Sequence, residues 1–278
     1  MKVMIVGASG LLGKDLVREW ADDEIVALNS RDLDIRDPQR ARELIQNGRP
    51  EWIVLAAAYT NVDDCESHPD LAFAVNRDGA VNVANAAKAA RARVLFISSD
   101  YVFDGKKSSP YEIDDARNPQ SIYGRSKAEA ELQILQVLPD CCIVRASWLF
   151  GTGGKCFPDT ILKLAATRPA LDVVDDQRGC PTYSVDLARA IIQLCRRQAT
   201  GVVHATNAGD CSWFEFARAI VKDAGLSTEV HPVSSQQMAR PAPRPAYSVL
   251  STKSLQRYDI TMPAWQDALK RYLRERKN

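Results

Sequence analysis

Tyr123 and Lys127 are four positions apart in a stretch, residues 122–137, whose apolar spacing predicts a helix. Side chains at this spacing lie on one helical face. The pKa of a free phenol is about 10, and a neighbouring ammonium group lowers it by favouring the phenolate. A tyrosine tuned in this way can transfer a proton near neutral pH. The motif also occurs often by chance, so an ordinary surface pair is the alternative interpretation.

Ser98 and Ser99 stand at the end of an apolar run, residues 94–98, that predicts a strand. Ligands of open parallel sheets bind beyond the carboxyl ends of the strands. A hydroxyl group at this place can donate a hydrogen bond to the carbonyl oxygen of a substrate. The alternative is that these serines cap a turn or a helix.

Three glycines, Gly7, Gly10 and Gly13, follow a strand-like run at residues 3–6 and open a helical pattern at residues 11–20. Glycine in such a turn tolerates positive φ and lets backbone N–H groups approach a diphosphate at the helix N-terminus. The placement predicts a dinucleotide site. A turn that merely requires glycine is the alternative.

The second strand, residues 25–28, is followed by Asn29, Ser30 and Arg31. Folds that bind NAD usually carry a carboxylate here, on the adenosine ribose. Ser30 and Arg31 could instead meet a ribose 2′-phosphate, which favours NADP(H) and leaves NAD(H) open, whereas Arg31 could also simply face solvent. Asp34, a candidate contact for the adenine amino group, and Ile35 are assigned to the same cofactor site.

Strands and helices alternate through the first half of the chain, which predicts an α/β fold: a Rossmann-type doubly wound parallel sheet. The predicted strands are residues 3–6, 25–28, 52–57, 94–98 and 142–145, and the predicted helices are residues 11–20, 38–47, 69–90 and 122–137.

The alternation of strands and helices becomes less regular after Phe150. Helices are predicted at residues 159–167, 184–197 and 264–276, and loops at 151–155 and 232–245; the terminal helix is basic and amphipathic, and its charged face is expected to be solvated. We expect a dinucleotide-binding domain at residues 1–150, with a returning segment near 180–205. A smaller, mainly C-terminal substrate-binding domain would comprise residues 206–278 and part of 151–180.

Composition argues against several classes of function. The 278 residues contain 36 Lys and Arg against 35 Asp and Glu, which gives a net charge of +1. This charge does not indicate binding to nucleic acid or to an anionic membrane. Seven cysteines without a Cys-x-x-Cys pair, and only three histidines, suggest neither a disulfide framework nor a metal site. The first residues lack the features of a signal peptide. We expect a cytoplasmic protein.

Several segments together resemble the extended short-chain dehydrogenase/reductase superfamily and, within it, the dTDP-4-dehydrorhamnose reductase family. The resemblance covers nearly the whole chain. It rests on L-A-A-A-Y-T-N-V-D-D-C-E at 55–66, I-S-S-D-Y-V-F-D-G at 97–105, Y-G-R-S-K at 123–127, R-A-S-W-L-F-G at 145–151, D-Q-R-G-C-P-T at 176–182 and R-P-A-Y-S-V-L-S-T at 244–252.

The resemblance implies reduction of the keto-sugar of dTDP-4-dehydro-L-rhamnose, with Tyr123 as proton donor, Lys127 on the nicotinamide ribose and Ser99 in place of the family's usual threonine. It also implies further binding residues. They are Gly10, Leu11 and Leu12 at the diphosphate, Ala56, Ala57 and Ala58 beside the adenosine, Asn76 in the cofactor pocket, and Asp100, Tyr101 and Trp148 at the sugar nucleotide.

Other functions on this scaffold stay open. Nucleotide-sugar epimerases share it, and so do 4,6-dehydratases, although the Asp-Glu pair expected of the latter is Asp100-Tyr101 here. A non-catalytic NADP-binding regulatory subunit, resembling the methionine adenosyltransferase β subunit, is the alternative outside enzymes. The intact set of Ser99, Tyr123 and Lys127 favours catalysis. The expected partner is a nucleotide sugar, a homodimer is left open, and no metal ligands are assigned.

Overall fold

The structure is a computed structural model that describes residues 1–276. Its strands are β1 (Lys2–Val6), β2 (Glu24–Leu28), β3 (Trp52–Leu55), β4 (Arg93–Ser99), β5 (Cys142–Ala146), β6 (Leu149–Phe150), β7 (Ala170–Val174), β8 (Arg178–Gly179), β9 (Thr182–Tyr183), β10 (Gly201–His204), β11 (Cys211–Ser212) and β12 (Glu229–Val233). Its α-helices are α1 (Leu11–Glu19), α2 (Pro38–Gly48), α3 (Val62–Ser67), α4 (Pro69–Phe73), α5 (Ala80–Ala90), α6 (Ile122–Val137), α7 (Phe157–Ala165), α8 (Ser184–Arg196), α9 (Trp213–Asp223), α10 (Lys253–Gln256) and α11 (Trp265–Glu275).

Six parallel strands form the central sheet, in the order β2-β1-β3-β4-β5-β10. Helices α1 and α8 pack together on one face, and α2, α5 and α6 cover the other. Because both faces are covered, strands such as β3 and β5 are buried along their whole length. The doubly wound sheet predicted from the sequence is confirmed, and β10 adds a strand that was not predicted.

The long helix predicted at residues 69–90 is interrupted in the structure. A π-helical turn, Ala74–Gly79, separates α4 from α5. The π turn contains the buried Asn76, whose amide nitrogen donates to Tyr59 O and Ser126 Oγ at 3.0 Å each, and whose oxygen accepts from Tyr59 N. Turns of this kind are frequent at functional sites. Asn76 thereby ties the loop after β3 to α6.

A second apolar core lies under α7, α9 and α11. It centres on Phe150, whose ring contacts those of Tyr183, Phe216 and Tyr272. The terminal helix α11 buries its apolar face in this core, as expected of the basic amphipathic helix predicted here, and the solvated face is the charged one. Its apolar residues recur at helical spacing, and the charged residues between them face outward. Strand β12 pairs with β7 and includes Pro232 and Val233, which the sequence placed in a loop.

Within residues 1–276, no helix is at once long enough and apolar enough to cross a lipid bilayer.

Candidate active site

The glycine loop joins the carboxyl end of β1 to the N-terminus of α1. Gly7 has a φ of +96°, and its N–H group and that of Ala8 donate to Leu28 O at 2.8 and 2.9 Å. A Cβ atom on Gly7 would lie 2.6 Å from Ala57 N, and one on Gly13 would lie 2.1 Å from Gly7 O. Glycine is therefore required at both positions, because the backbones of this loop and of the segment after β3 are in contact.

A cleft of about 430 Å³ opens beside this loop, at the carboxyl edge of the sheet. Most of the predicted cofactor residues line it: Gly7, Gly10, Asn29, Ser30, Asp34, Ile35, Ala56, Ala57 and Ala58. Ser9, Leu33, Arg36, Leu71 and Val75, which the sequence reading missed, complete the lining.

The other predicted cofactor residues lie around this cleft rather than on its wall. Leu12 is buried in the core beneath the loop. Gly13 packs on Gly7, and Leu11 lies against the loop at residues 151–155, close to Gly153. Asn76 acts behind the cleft through its bonds to Tyr59 and Ser126.

Two arginines follow β2, and both are exposed. Arg31 does not line the cleft, and its backbone N–H donates to the Asn29 side chain at 2.8 Å. Arg36 lines the cleft and forms a two-pronged ion pair with Asp34, whose pKa it holds below the usual range. The signal that could have identified Arg36 is the Asp34-x-Arg36 spacing, which places a basic side chain beside a predicted adenine contact.

Tyr123 lies in the first turn of α6. Ser121 caps this helix by accepting a hydrogen bond from Gly124 N at 3.1 Å. The Tyr123 ring meets Tyr101 edge-on, with centroids 5.6 Å apart. Burial and the nearby Asp100 carboxylate raise the pKa of Tyr123, while the neighbouring Ser99 hydroxyl opposes the rise. The phenol is therefore held in its protonated form, as a proton donor requires.

Lys127 follows one turn later and is buried. Its Nζ atom lies 4.0 Å from the centroid of the Phe96 ring, and burial lowers its pKa to about 7 although Glu131 opposes the change. Lys127 does not contribute to the pKa of Tyr123 among the described residues. The expectation that its charge lowers that pKa is not met, because desolvation dominates at both side chains.

The two serines at the end of β4 differ in role. Ser98 Oγ donates to Glu131 Oε1 at 2.5 Å inside the core. Ser99 Oγ donates to Asp100 Oδ1 at 2.8 Å and accepts from Tyr101 N at 3.2 Å. Of the two serines, only Ser99 acts on the pKa of Tyr123, which it lowers. The structure therefore places Ser99, Tyr123 and Lys127 at one edge of the sheet and assigns Ser98 to the scaffold.

A buried ion pair anchors α6 beneath these residues. Glu131 and Arg145 are both fully buried, and the Arg145 guanidinium donates to the two carboxylate oxygens at 2.9 and 2.7 Å. Arg117 adds a third bond at 3.1 Å. These partners hold the pKa of Glu131 below its usual value despite burial. Removing one partner of a buried ion pair destabilises a protein far more than the intact pair stabilises it. The pair therefore fixes the register of α6 against β5.

The predicted sugar-nucleotide residues differ in their contacts and in their burial. Trp148 has a φ of +45° and stacks on Trp213, with centroids 3.5 Å apart and planes 8° apart. Gly179 makes room for its indole, since a Cβ there would lie 2.4 Å from Trp148 Cε2. Tyr101 contacts Tyr123, whereas Asp100 is only 1% exposed.

The segment at residues 240–248 contacts α3 and lies near Tyr101. Arg244 Nη2 lies 2.9 Å from Asp63 Oδ1 on α3, and the same carboxylate accepts from Ala242 N at 3.2 Å. Arg244 also acts on the phenol of Tyr101, opposing the rise that burial causes in its pKa. Sequence reasoning did not single out Asp63 or Arg244, because nothing local relates two residues so far apart in the chain.

Over the part of the chain that the structure describes, no three His, Cys, Asp or Glu side chains are grouped in a way that would hold a metal ion.

Comparisons with known proteins agree on one family. A family model described as "RmlD substrate binding domain" matches residues 1–278. The chain is 42% identical to the spore coat polysaccharide biosynthesis protein SpsK of Bacillus subtilis, over 99% of this chain and 98% of that protein. It is 40% identical to dTDP-4-dehydrorhamnose reductase of Mycobacterium tuberculosis H37Rv, over 96% and 91%.

A solved structure gives the same result. The crystal structure of dTDP-4-dehydrorhamnose reductase from Bacillus anthracis, in complex with NADP, superposes with a TM-score of 0.96 at 38% identity, and the match covers 99% of this chain and 100% of that one. The chain therefore belongs to the RmlD substrate binding domain family.

Proposed function

We propose that the protein is an NADPH-dependent reductase that converts dTDP-4-dehydro-L-rhamnose to dTDP-L-rhamnose. The observation that carries this proposal is the convergence of Ser99, Tyr123 and Lys127 at the sheet edge that also holds the glycine-loop cleft. Its relatives in Mycobacterium tuberculosis and Bacillus anthracis bear the name of this activity.

The cleft fits the adenosine diphosphate half of a nicotinamide dinucleotide. Gly10, the residue before α1, lines the cleft, so the N-terminus of α1 can face a diphosphate there. At the tip of β2, Asn29 replaces the carboxylate that would repel a 2′-phosphate. Arg36 lines the cleft and Arg31 does not, so we place that phosphate at Arg36. This arrangement supports NADP(H), with NAD(H) as the weaker cofactor.

The bound cofactor supplies a hydride to C4 of the sugar. Tyr123 then donates its proton to the C4 carbonyl oxygen, and its raised pKa keeps that proton in place until charge develops on the oxygen. The hydroxyl group of Ser99 lowers the pKa of Tyr123 and so favours the resulting phenolate. Lys127, one turn later, is assigned to the nicotinamide ribose.

The sugar nucleotide lies against aromatic side chains in this proposal. Tyr101 and Trp148 supply apolar faces, and the stack on Trp213 fixes the Trp148 indole. Asp100 is enclosed behind Ser99, and its predicted contact with the substrate stays a prediction. The core under α7, α9 and α11 supports the smaller substrate-binding domain predicted from the sequence, while residues 1–150 with α8 and β10 form the dinucleotide-binding part.

The cell compartment and assembly state are part of the same proposal. All seven cysteines are free thiols in the structure, which supports a cytoplasmic location. The partner is the nucleotide sugar, with no role for nucleic acid, a membrane or a metal. A homodimer stays a prediction, and light scattering of the purified protein tests it.

The test is turnover of NADPH by the purified protein with dTDP-4-dehydro-L-rhamnose, followed by identification of the sugar product. Stoichiometric oxidation of NADPH with formation of dTDP-L-rhamnose is expected. Cofactor binding without turnover would favour the non-catalytic binding subunit. Interconversion of sugars without net oxidation of NADPH would favour an epimerase.

A further inference from the structure

The backbone of Trp148 is held in a conformation that bulky residues avoid. Its φ is +45°, and positive φ strains a residue that carries a large side chain. Two hydrogen bonds to one neighbouring segment hold this part of the chain: Trp148 O accepts from Thr182 N at 3.1 Å, and Ser147 Oγ donates to Cys180 O at 2.7 Å. Such strain persists only where the surroundings enforce it. The direction in which the indole leaves the backbone is therefore set by the surrounding structure.

Gly179, in the same segment, leaves the space that the indole occupies. A Cβ atom on Gly179 would lie 2.4 Å from Cε2, 2.6 Å from Nε1 and 2.8 Å from Cζ2 of Trp148. The φ of Gly179 is not positive, so its backbone conformation is open to residues with a side chain. Glycine at this position is therefore required by the Trp148 indole and not by the backbone.

Trp213 covers the Trp148 indole with its own ring, and the two planes are 8° apart. Trp213 is the first residue of α9, whose start is fixed by a capping box. Ser212 Oγ accepts from Glu215 N at 3.0 Å, and Ser212 N donates to Glu215 Oε2 at 2.8 Å. Strand β11, which ends at Ser212, pairs with β8, which ends at Gly179. Trp213 and Gly179 thus belong to one hydrogen-bonded framework, and both contact the same indole.

We propose that Trp213 and Gly179 are positioning residues for the sugar nucleotide, because they hold the Trp148 indole where the substrate meets it. The inference rests on the proposed function, which places Trp148 at the sugar nucleotide. A side chain that is already ordered loses no rotamer freedom when a ligand binds, and this ordering is worth about two- to tenfold in affinity. Trp213 and Gly179 therefore act on binding of the sugar nucleotide, and not on transfer of the hydride or the proton.

The test is a double-mutant cycle on the KM for dTDP-4-dehydro-L-rhamnose at saturating NADPH. Trp213→Leu should raise this KM about two- to tenfold, with much smaller changes in kcat and in the Kd for NADPH. Trp148→Leu should raise the KM at least as much. The double variant should have the KM of Trp148→Leu alone, because Trp213 acts through that side chain. Increases that add up in the double variant would show an independent or merely structural effect of Trp213 and would overturn the proposal.

Gly179→Ala keeps the proposal testable if Trp213→Leu does not fold. The added methyl group displaces the indole and leaves both tryptophans in the chain, so the KM for the sugar nucleotide should rise by a similar factor. An unchanged KM in Gly179→Ala would overturn the proposal. Trp213→Phe should restore most of the affinity that Trp213→Leu loses, since a phenyl ring can also stack on the indole; a KM as high as that of Trp213→Leu would count against the stack.

Phe214→Leu is the matched control. Phe214 is the next residue of α9 and is half-buried like Trp213, but its ring lies 5.5 Å from the Arg218 guanidinium and is not part of the stack. Its KM should equal that of the wild type. If the wild type oxidises no NADPH with the keto-sugar, the proposed function itself fails. An active wild type whose KM is shared by Trp213→Leu and Gly179→Ala refutes only the positioning role.

Discussion

Replacing Lys127 by methionine is expected to make the protein more stable and less active. The ammonium group of Lys127 is buried, and its pKa falls from an ordinary value of 10.5 to about 7. At about 1.4 kcal/mol per pH unit, that difference corresponds to about 5 kcal/mol for charging the side chain in place. The Phe96 ring, 4.0 Å from Nζ, is part of the environment in which this charge is held. A methionine of similar length should therefore raise the free energy of unfolding by up to about 5 kcal/mol below pH 7.

The direction of the pH dependence follows from the two protonation states. The unfolded chain binds the lysine proton below pH 10.5, whereas the folded protein binds it only below about pH 7. Between these values a fall in pH favours the unfolded wild type. The stability gap between Lys127→Met and the wild type should thus grow as the pH falls from 10.5 and level off below 7. The substitution leaves no unpaired carboxylate, because Glu131 keeps Arg145 and Arg117.

Denaturant unfolding of both proteins at pH 6 and pH 9 measures this gap. Buried groups shared by the two proteins cancel in the difference. Lys88→Met, at an exposed position on α5, is the control and should change stability by less than about 0.5 kcal/mol at either pH. A variant less stable than the wild type at pH 6, or a gap that is the same at both pH values, would refute the reasoning. Activity should be lost in Lys127→Met and retained in Lys88→Met.

Tyr123→Phe should bind NADPH normally and lose about 10²- to 10⁴-fold in kcat; near-normal turnover, followed by NADPH absorbance, would count against Tyr123 as the proton donor. Arg36→Ala should weaken NADPH binding by about tenfold or more, the worth of a hydrogen bond to a charged group, and leave NADH binding almost unchanged. If calorimetry shows that Arg31→Ala weakens NADPH binding more than Arg36→Ala does, Arg31 and not Arg36 binds the 2′-phosphate. Asp63→Asn breaks the ion pair with Arg244, which is partly exposed, so stability should change by less than about 1 kcal/mol. The KM for the sugar nucleotide should nevertheless rise and amide exchange at residues 240–248 should quicken, and unchanged exchange would show that this ion pair does not hold the segment.

Local pattern was enough to predict the elements that carry the chemistry. Helix α6 begins and ends at the predicted residues, because its apolar spacing is regular and Ser121 caps its N-terminus. The interruption at Ala74–Gly79 could not be predicted, since Asn76 is held by partners at Tyr59 and Ser126 that are distant in sequence. Strand β10 was missed for a similar reason: four residues have little pattern of their own, and pairing with β5 defines them.

The candidate site likewise combines features that local sequence predicts with features that only distant contacts determine. Motifs and resemblance made Ser99, Tyr123 and the glycine loop candidates for the site, but they did not give the charge states. The pKa values of Lys127 and Asp100 depend on burial by segments from elsewhere in the chain, such as the one that carries Ser248. Charge states at an enclosed site are a property of the assembled fold.

The stack of Trp148 on Trp213 provides an intrinsic optical probe of the proposed sugar site. Two indoles 3.5 Å apart and nearly parallel couple electronically, so their near-ultraviolet circular dichroism and emission differ from those of isolated tryptophans. The other three, Trp20, Trp52 and Trp265, are at most 5% exposed within the cores and contribute a constant background. A ligand that shifts Trp148 against its neighbour therefore changes the spectrum without any label, and binding of unreactive sugar nucleotides can be titrated directly.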